Sequence, residues 1–158
     1  MTRLDFGNGI SYDPDGKQYI MLDVTDRIPK QSSVLVDGEL LLPKHEYHSS
    51  LVALERYIDN KQKRTTTALF IQEFLRLNPV FFIGLGTERY VCRKDDRMTL
   101  IAPVKINGIE TLVNYVATII PHYDPPFPHV TLLKSASTEF GIGINSKGDF
   151  GTYCTRLK

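Results

Sequence analysis

The 158-residue sequence predicts an α+β fold, and three observations carry that expectation. Short β-patterned runs outnumber helical ones but alternate with them along the chain. Asp37-Gly38 joins two such runs at the spacing of a two-residue hairpin. One segment has clear helical periodicity and ends at Asn78-Pro79.

Taken in order, the first 17 residues are polar and rich in Gly and Asp, which predicts an arm or loops. Tyr19 to Val24 reads as a strand. Ser33 to Val36 and Glu39 to Leu42 flank Asp37-Gly38, a dipeptide suited to positions that need positive φ. Tyr47 to Leu54 is the next short strand, and a polar stretch runs from Glu55 to Arg64. Thr66 to Leu77 is expected as a helix capped by Thr65 or Thr66, with Leu69, Phe70, Phe74 and Leu77 at helical spacing. Val80 to Ile83 and Glu88 to Arg93 read as strands bent by Gly84 and Gly86, and Met98 to Ile106 as another after the charged turn at 94–97. Between Asn107 and Ile120 the β-branched content favours a strand. Ile109, Leu112, Val113, Val116, Ile119 and Ile120 share one helical face, however, and Asn107 with Glu110 resembles a capping box, so the reading leans to a helix. A Pro-rich loop from Pro121 to Pro128 precedes a strand from His129 to Leu133. Gly141 to Asn145 is expected as a last strand, with Ser146 to Asp149 capping a short terminal helix.

Composition narrows the function classes. Nineteen Lys and Arg against eighteen acids give a net charge of +1, which implies no long nucleic acid and no anionic membrane as partner. No apolar run reaches the length of a membrane span, and the N-terminal segment lacks a signal-peptide stretch, so a cytoplasmic location is expected. Cys92 and Cys154 have no C-x-x-C spacing and read as reduced, structural thiols. The whole of 1–158 is expected as one domain without internal repeats.

Chemistry concentrates in the histidines, of which there are four: His45, His48, His122 and His129. Two have a hydroxyl residue two positions on, in His48-Ser49-Ser50 and His129-Val130-Thr131. On a strand, residues i and i+2 project from one face about 7 Å apart, so each triplet presents an imidazole beside a hydroxyl. A neutral imidazole can take a proton from water or a ribose 2′-hydroxyl while a protonated one supplies the leaving oxygen. The Ser50 and Thr131 hydroxyls can donate to the non-bridging oxygens of a phosphate. This scheme requires no metal and no cofactor. Ser49 beside Ser50 leaves a one-residue register slip open.

The segments PFPHVTLLKS and LPKHEYHSSLVAL resemble the two signatures of the two-histidine phosphoesterase superfamily, the group of the 2′-5′ RNA ligase-like proteins and cyclic phosphodiesterases. The resemblance is best over 80–134 and extends over 40–77. It implies a bilobal two-sheet fold with a central cleft and one His-x-Ser/Thr strand from each lobe. It further implies His48 and His129 as the catalytic acid–base pair, with Ser50 and Thr131 as phosphate ligands. The expected substrate is a small nucleotide or short RNA with a cyclic phosphate or 2′-5′ linkage. The chain departs from the family pattern at 25–47, where a hairpin stands in place of a helix. Phe127 shares the parity of His129 and is a candidate to stack on a base, although packing is its default. Lys134 is a candidate phosphate contact, with a solvated strand end as the plainer reading.

Two other function classes remain from the sequence. One is a catalytically silent nucleotide- or RNA-binding module on the same fold. The other is a metal-dependent hydrolase using His45, His48, His122 and Asp124, although no closed set of ligand spacings appears.

Overall fold

The opening residues, expected as an arm or loops, instead form an antiparallel hairpin, β1 (Leu4–Gly7) and β2 (Ile10–Tyr12). The computed structural model describes residues 2–136 and 142–157. Gly7, Asn8 and Gly9 all take positive φ in the hairpin turn. A Cβ on Gly9 would also sit 2.9 Å from the Asp23 carbonyl oxygen, which accepts no such intrusion. Ile10 and Tyr12 are buried, and Leu4 and Phe6 pack against the same core. These strands are too short to be told from loops by periodicity; burial makes them strands.

The hairpin pairs with β3 (Tyr19–Asp23), which pairs in turn with β6 (His48–Ala53), giving a four-stranded sheet ordered β1-β2-β3-β6. Between β3 and β6 the chain makes a 3-10 turn at Thr25–Arg27 and then the predicted hairpin, β4 (Val34–Val36) and β5 (Glu39–Pro43). Asp37 and Gly38 have φ of 50° and 81°, as their turn requires. This hairpin belongs to the other sheet, where β5 runs antiparallel to β10 (His129–Ser135).

After β6 come a single helical turn, α1 (Leu54–Tyr57), and α2 (Lys61–Leu77). The α2 helix starts before the expected Thr66. Asn60 is the cap, its side-chain oxygen accepting from the Lys63 N–H at 3.0 Å. Thr66 and Thr67 lie inside the helix and donate back to the Gln62 and Lys63 carbonyls. The expected apolar stripe is also displaced. Leu69, Phe70 and Leu77 are exposed, while Thr65, Ala68, Ile71 and Leu75 face the core. Both stripes satisfy helical spacing, and packing selects the second.

The second sheet is built on β9 (Arg97–Asn107). Its first half pairs with β8 (Tyr90–Lys94), its second half with β7 (Phe81–Leu85), and its far edge with β10. The seven-stranded order is β11-β8-β9-β10-β5-β4, with β7 also on β9. The ambiguous segment is a helix, α3 (Ile109–Ile119), burying Leu112 and Val116. No capping box forms: Asn107 ends β9, and Gly108 at φ 85° provides the turn. Phe74 stacks on Tyr115 with ring centroids 4.1 Å apart, tying α2 to α3.

Of the strand expected at 141–145, Ile142 to Asn145 carries no strand assignment and Gly141 lies outside the described residues. Ser146 caps α4 (Lys147–Tyr153) through the Asp149 N–H, as expected. A strand that the sequence did not announce, β11 (Cys154–Arg156), then closes onto β8. Cys154 falls directly opposite Cys92, and the two form a disulfide across 62 residues of sequence. This corrects the expectation of reduced thiols: only the β11 pairing brings the two sulfurs together, and nothing in the spacing reveals it. Around the bridge a second small core gathers Cys92, Ile101, Ile142 and Ile144. The architecture is α+β with two sheets, one strongly curled. Among the described residues no helix is long and apolar enough to cross a membrane.

Candidate functional site

Alternation along β6 and β10 sets which side chains meet. On β6, His48 and Ser50 are half-buried while Ser49 and Leu51 are sealed in the interior. On β10, His129 and Thr131 are half-buried while Val130 and Leu132 are fully buried. The register alternative is therefore decided in favour of Ser50. The pairing of Leu22 with Ser49 and Asp23 with His48 fixes it, because Leu22 must face the core. Ser49 is left with a buried hydroxyl that has no hydrogen-bond partner among the described residues.

His48, Ser50, His129 and Thr131 together line a cavity of about 370 Å³. The two strands belong to different sheets and approach each other closely without sharing a ladder. Their meeting follows from the connection between them. Beyond Pro43 at the end of β5, the Lys44 N–H reaches the Leu132 carbonyl of β10, and the chain then crosses into β6. At the entry to β6, Tyr47 is held by Val24 and by the Thr25 hydroxyl, which accepts its N–H at 3.0 Å.

The cavity also receives residues that the sequence did not single out: Lys44, Lys17, Tyr19, Glu55 and Asn145. Lys44 stands inside the LPKHEYHSSLVAL segment, but neither strand parity nor motif spacing points to it. Lys17 lay within the supposed arm. Burial lowers the Lys44 ammonium pKa first, and the like charges of Lys17 and Lys134 lower it further.

His129 is anchored from behind. Its Nδ1 lies 2.7 Å from the Phe127 carbonyl oxygen, which can only accept, so Nδ1 carries the proton and Nε2 is the basic nitrogen of the neutral ring. Phe127 does not line the cavity. It stacks on Phe150 at 3.9 Å and meets Tyr90 edge-on, so its role is packing beneath His129. Lys134 does not line the cavity either, although the bulge between Thr131 and Leu133 puts it, opposite Thr99, on the strand face of His129 and Thr131.

The electrostatics favour an anion. Burial, followed by the charges of Lys44 and Lys17, brings the His48 pKa down to about 4, against the opposing pull of Asp23. Burial also lowers His129, and Lys44 adds to this, although the Phe127 carbonyl works against both. Asp23 is pushed up by burial, yet hydrogen bonds from the Thr25 hydroxyl and N–H hold its carboxyl below the usual range. With both imidazoles neutral, the cavity keeps two ammonium groups and two hydroxyls to meet negative charge. At the opposite end burial raises the Tyr19 phenol first, and the neighbouring Glu55 carboxylate raises it again.

His45 and His122 are exposed and do not line the cavity. Among the described residues no group of three or more His, Cys, Asp and Glu side chains is placed to hold a metal. Comparison with protein-family models, with curated proteins and with solved structures finds no match.

Proposed function

We propose that this chain is a metal-independent phosphodiesterase acting on a cyclic phosphate or a 2′-5′-linked nucleotide or short RNA. One observation carries the reading: two His-x-Ser/Thr faces, 81 residues apart (129 − 48), line a single cavity from two different sheets. The likeness of both segments to the two-histidine phosphoesterase signatures supports it, with the cavity as the central cleft and each sheet as a lobe. In this reading the substrate phosphate sits against Lys44, and the Ser50 and Thr131 hydroxyls donate to its non-bridging oxygens. One neutral imidazole takes a proton from water as the new oxygen–phosphorus bond forms. The other, protonated, gives its proton to the departing oxygen as the old bond breaks. The arriving anion supplies the condition for this: it offsets Lys44 and Lys17, so an imidazole that was neutral in the empty cavity gains a proton. The Cys92–Cys154 bond weighs against the expected cytoplasmic location, where thiols are held reduced and stable disulfides are rare.

The test is a screen of 2′,3′-cyclic nucleotides, cyclic dinucleotides and 2′-5′ oligonucleotides with EDTA present. Hydrolysis is expected to continue, and His48→Ala or His129→Ala should each cost about a hundredfold or more. Full activity in His48→Ala, or complete loss on chelation, overturns the scheme. A silent nucleotide-binding module is the second reading, favoured by the lowered pKa of both imidazoles. It requires unchanged binding in His48→Ala and no turnover of any compound in the screen.

A further inference from the structure

The two-histidine cavity does not end at Tyr19, Glu55, Gly143 and Asn145. The same four residues also line an adjoining cavity of about 640 Å³, large enough for a nucleotide-sized group. The cations of this second space are Arg56, Arg64 and Lys94. They are not equivalent. Arg56 is committed to Asp149, with Nη1 2.6 Å from the carboxylate. Arg64 spends its hydrogen bonds on neutral oxygens, the Gln18 amide at 2.8 Å and the Ile58 carbonyl at 2.6 Å, so its charge is held in place and undiminished. The Lys94 ammonium lies 5.1 Å from the centre of the Tyr153 ring, a contact that orients a cation without neutralising it. Glu55 stands at the boundary between the two spaces, where its carboxylate repels phosphate and accepts hydrogen bonds from hydroxyls.

Along this path the groups therefore run cationic, acceptor, cationic: Lys44 and Lys17, then Glu55 with Tyr19 and Asn145, then Arg64 and Lys94. A single-stranded nucleotide chain presents the complementary order of phosphate, sugar hydroxyls and phosphate. We propose that the adjoining cavity is a second phosphate subsite, and that the substrate is a dinucleotide or longer strand rather than a mononucleotide. The proposal rests on the phosphodiesterase reading for what happens at the first phosphate. Arg64 and Lys94 hold the next phosphate along the chain, and Glu55 faces the ribose between the two.

The test compares 2′,3′-cyclic AMP with adenylyl-adenosine ending in the same 2′,3′-cyclic phosphate, on the full chain, with EDTA present. Equilibrium binding and hydrolysis are measured in parallel. The dinucleotide should bind about tenfold tighter or better, and Lys94→Gln and Arg64→Gln should each remove most of that gain while leaving the mononucleotide within about twofold. Each change should also reduce the slope of log Kd against log salt by about 0.7 for the dinucleotide alone. Lys94→Gln guards against misreading Arg64→Gln, because Arg64 also braces Gln18 and the Ile58 carbonyl. Equal affinity for the two compounds, or a preference that survives both substitutions, overturns the subsite. A dinucleotide preference without hydrolysis supports the subsite and removes the phosphodiesterase reading instead.

Discussion

His48 and His129 are a single motif twice over in sequence, yet their surroundings differ. His129 is held from behind by a carbonyl, whereas His48 faces Asp23 across the sheet and two ammonium groups across the cavity. This makes the histidines sensitive to Lys44 in particular. By NMR titration the His48 imidazole is expected to gain its proton near pH 4, and Lys44→Gln should move that midpoint upward. An unmoved midpoint in Lys44→Gln would show that Lys44 does not contribute to the shift. The consequence for stability has a definite sign. Below the ordinary histidine pKa of 6.5 the unfolded chain takes up a proton that folded His48 refuses until about 4. Stability associated with this group is thus complete above pH 6.5 and falls as the pH drops, by up to about 3 kcal/mol. Denaturant midpoints between pH 7 and 4.5 measure it, and in His48→Asn the decline should be shallower. Among these residues the sequence made the imidazoles and hydroxyls legible, because strand parity is local. Lys44 and Lys17 were not legible, since each reaches the cavity from a loop.

At the scale of elements, α2 shows how two local rules can both hold and only one be used. Thr65 and Thr66 are acceptable caps and Asn60 is another; Asn60 prevails because it starts the helix early enough to bury Ala68, Ile71 and Leu75. Asn60→Ala should therefore cost about 1 kcal/mol in equilibrium unfolding, and Thr66→Ala little or nothing. The reverse ranking would put the helix start back at Thr66. Likewise the Asp37-Gly38 hairpin was legible from its turn chemistry, but its membership of the second sheet was not. That membership positions Lys44 at the cavity, since β5 delivers the chain there directly.

For the whole molecule, the C-terminal limb joins structure to site. Ile142 and Ile144 contribute to the small core beside the disulfide, and Asn145 and Gly143 to the walls of both cavities. Phe150 of α4 supports Phe127, whose carbonyl anchors His129. Breaking the Cys92–Cys154 bond is thus expected to loosen this limb before the four-stranded sheet. Cys154→Ser should lower stability by roughly 2–4 kcal/mol. Its amide exchange should accelerate across 142–157 while β2 and β3 stay protected; uniform acceleration would mean that the limb is not a separate unit.

By itself the sequence determined the α+β class, most strands, the hairpin turn and the two His-x-Ser/Thr faces, all of which depend on neighbours within a few positions. The tertiary structure alone decided that β1 and β2 are strands, which stripe of α2 is buried, that Cys154 meets Cys92, and that Lys44 and Lys17 join the histidines. The physical reason is common to all four. Each is settled by what a residue packs against from a distant part of the chain, and side-chain periodicity reports only which way a residue faces.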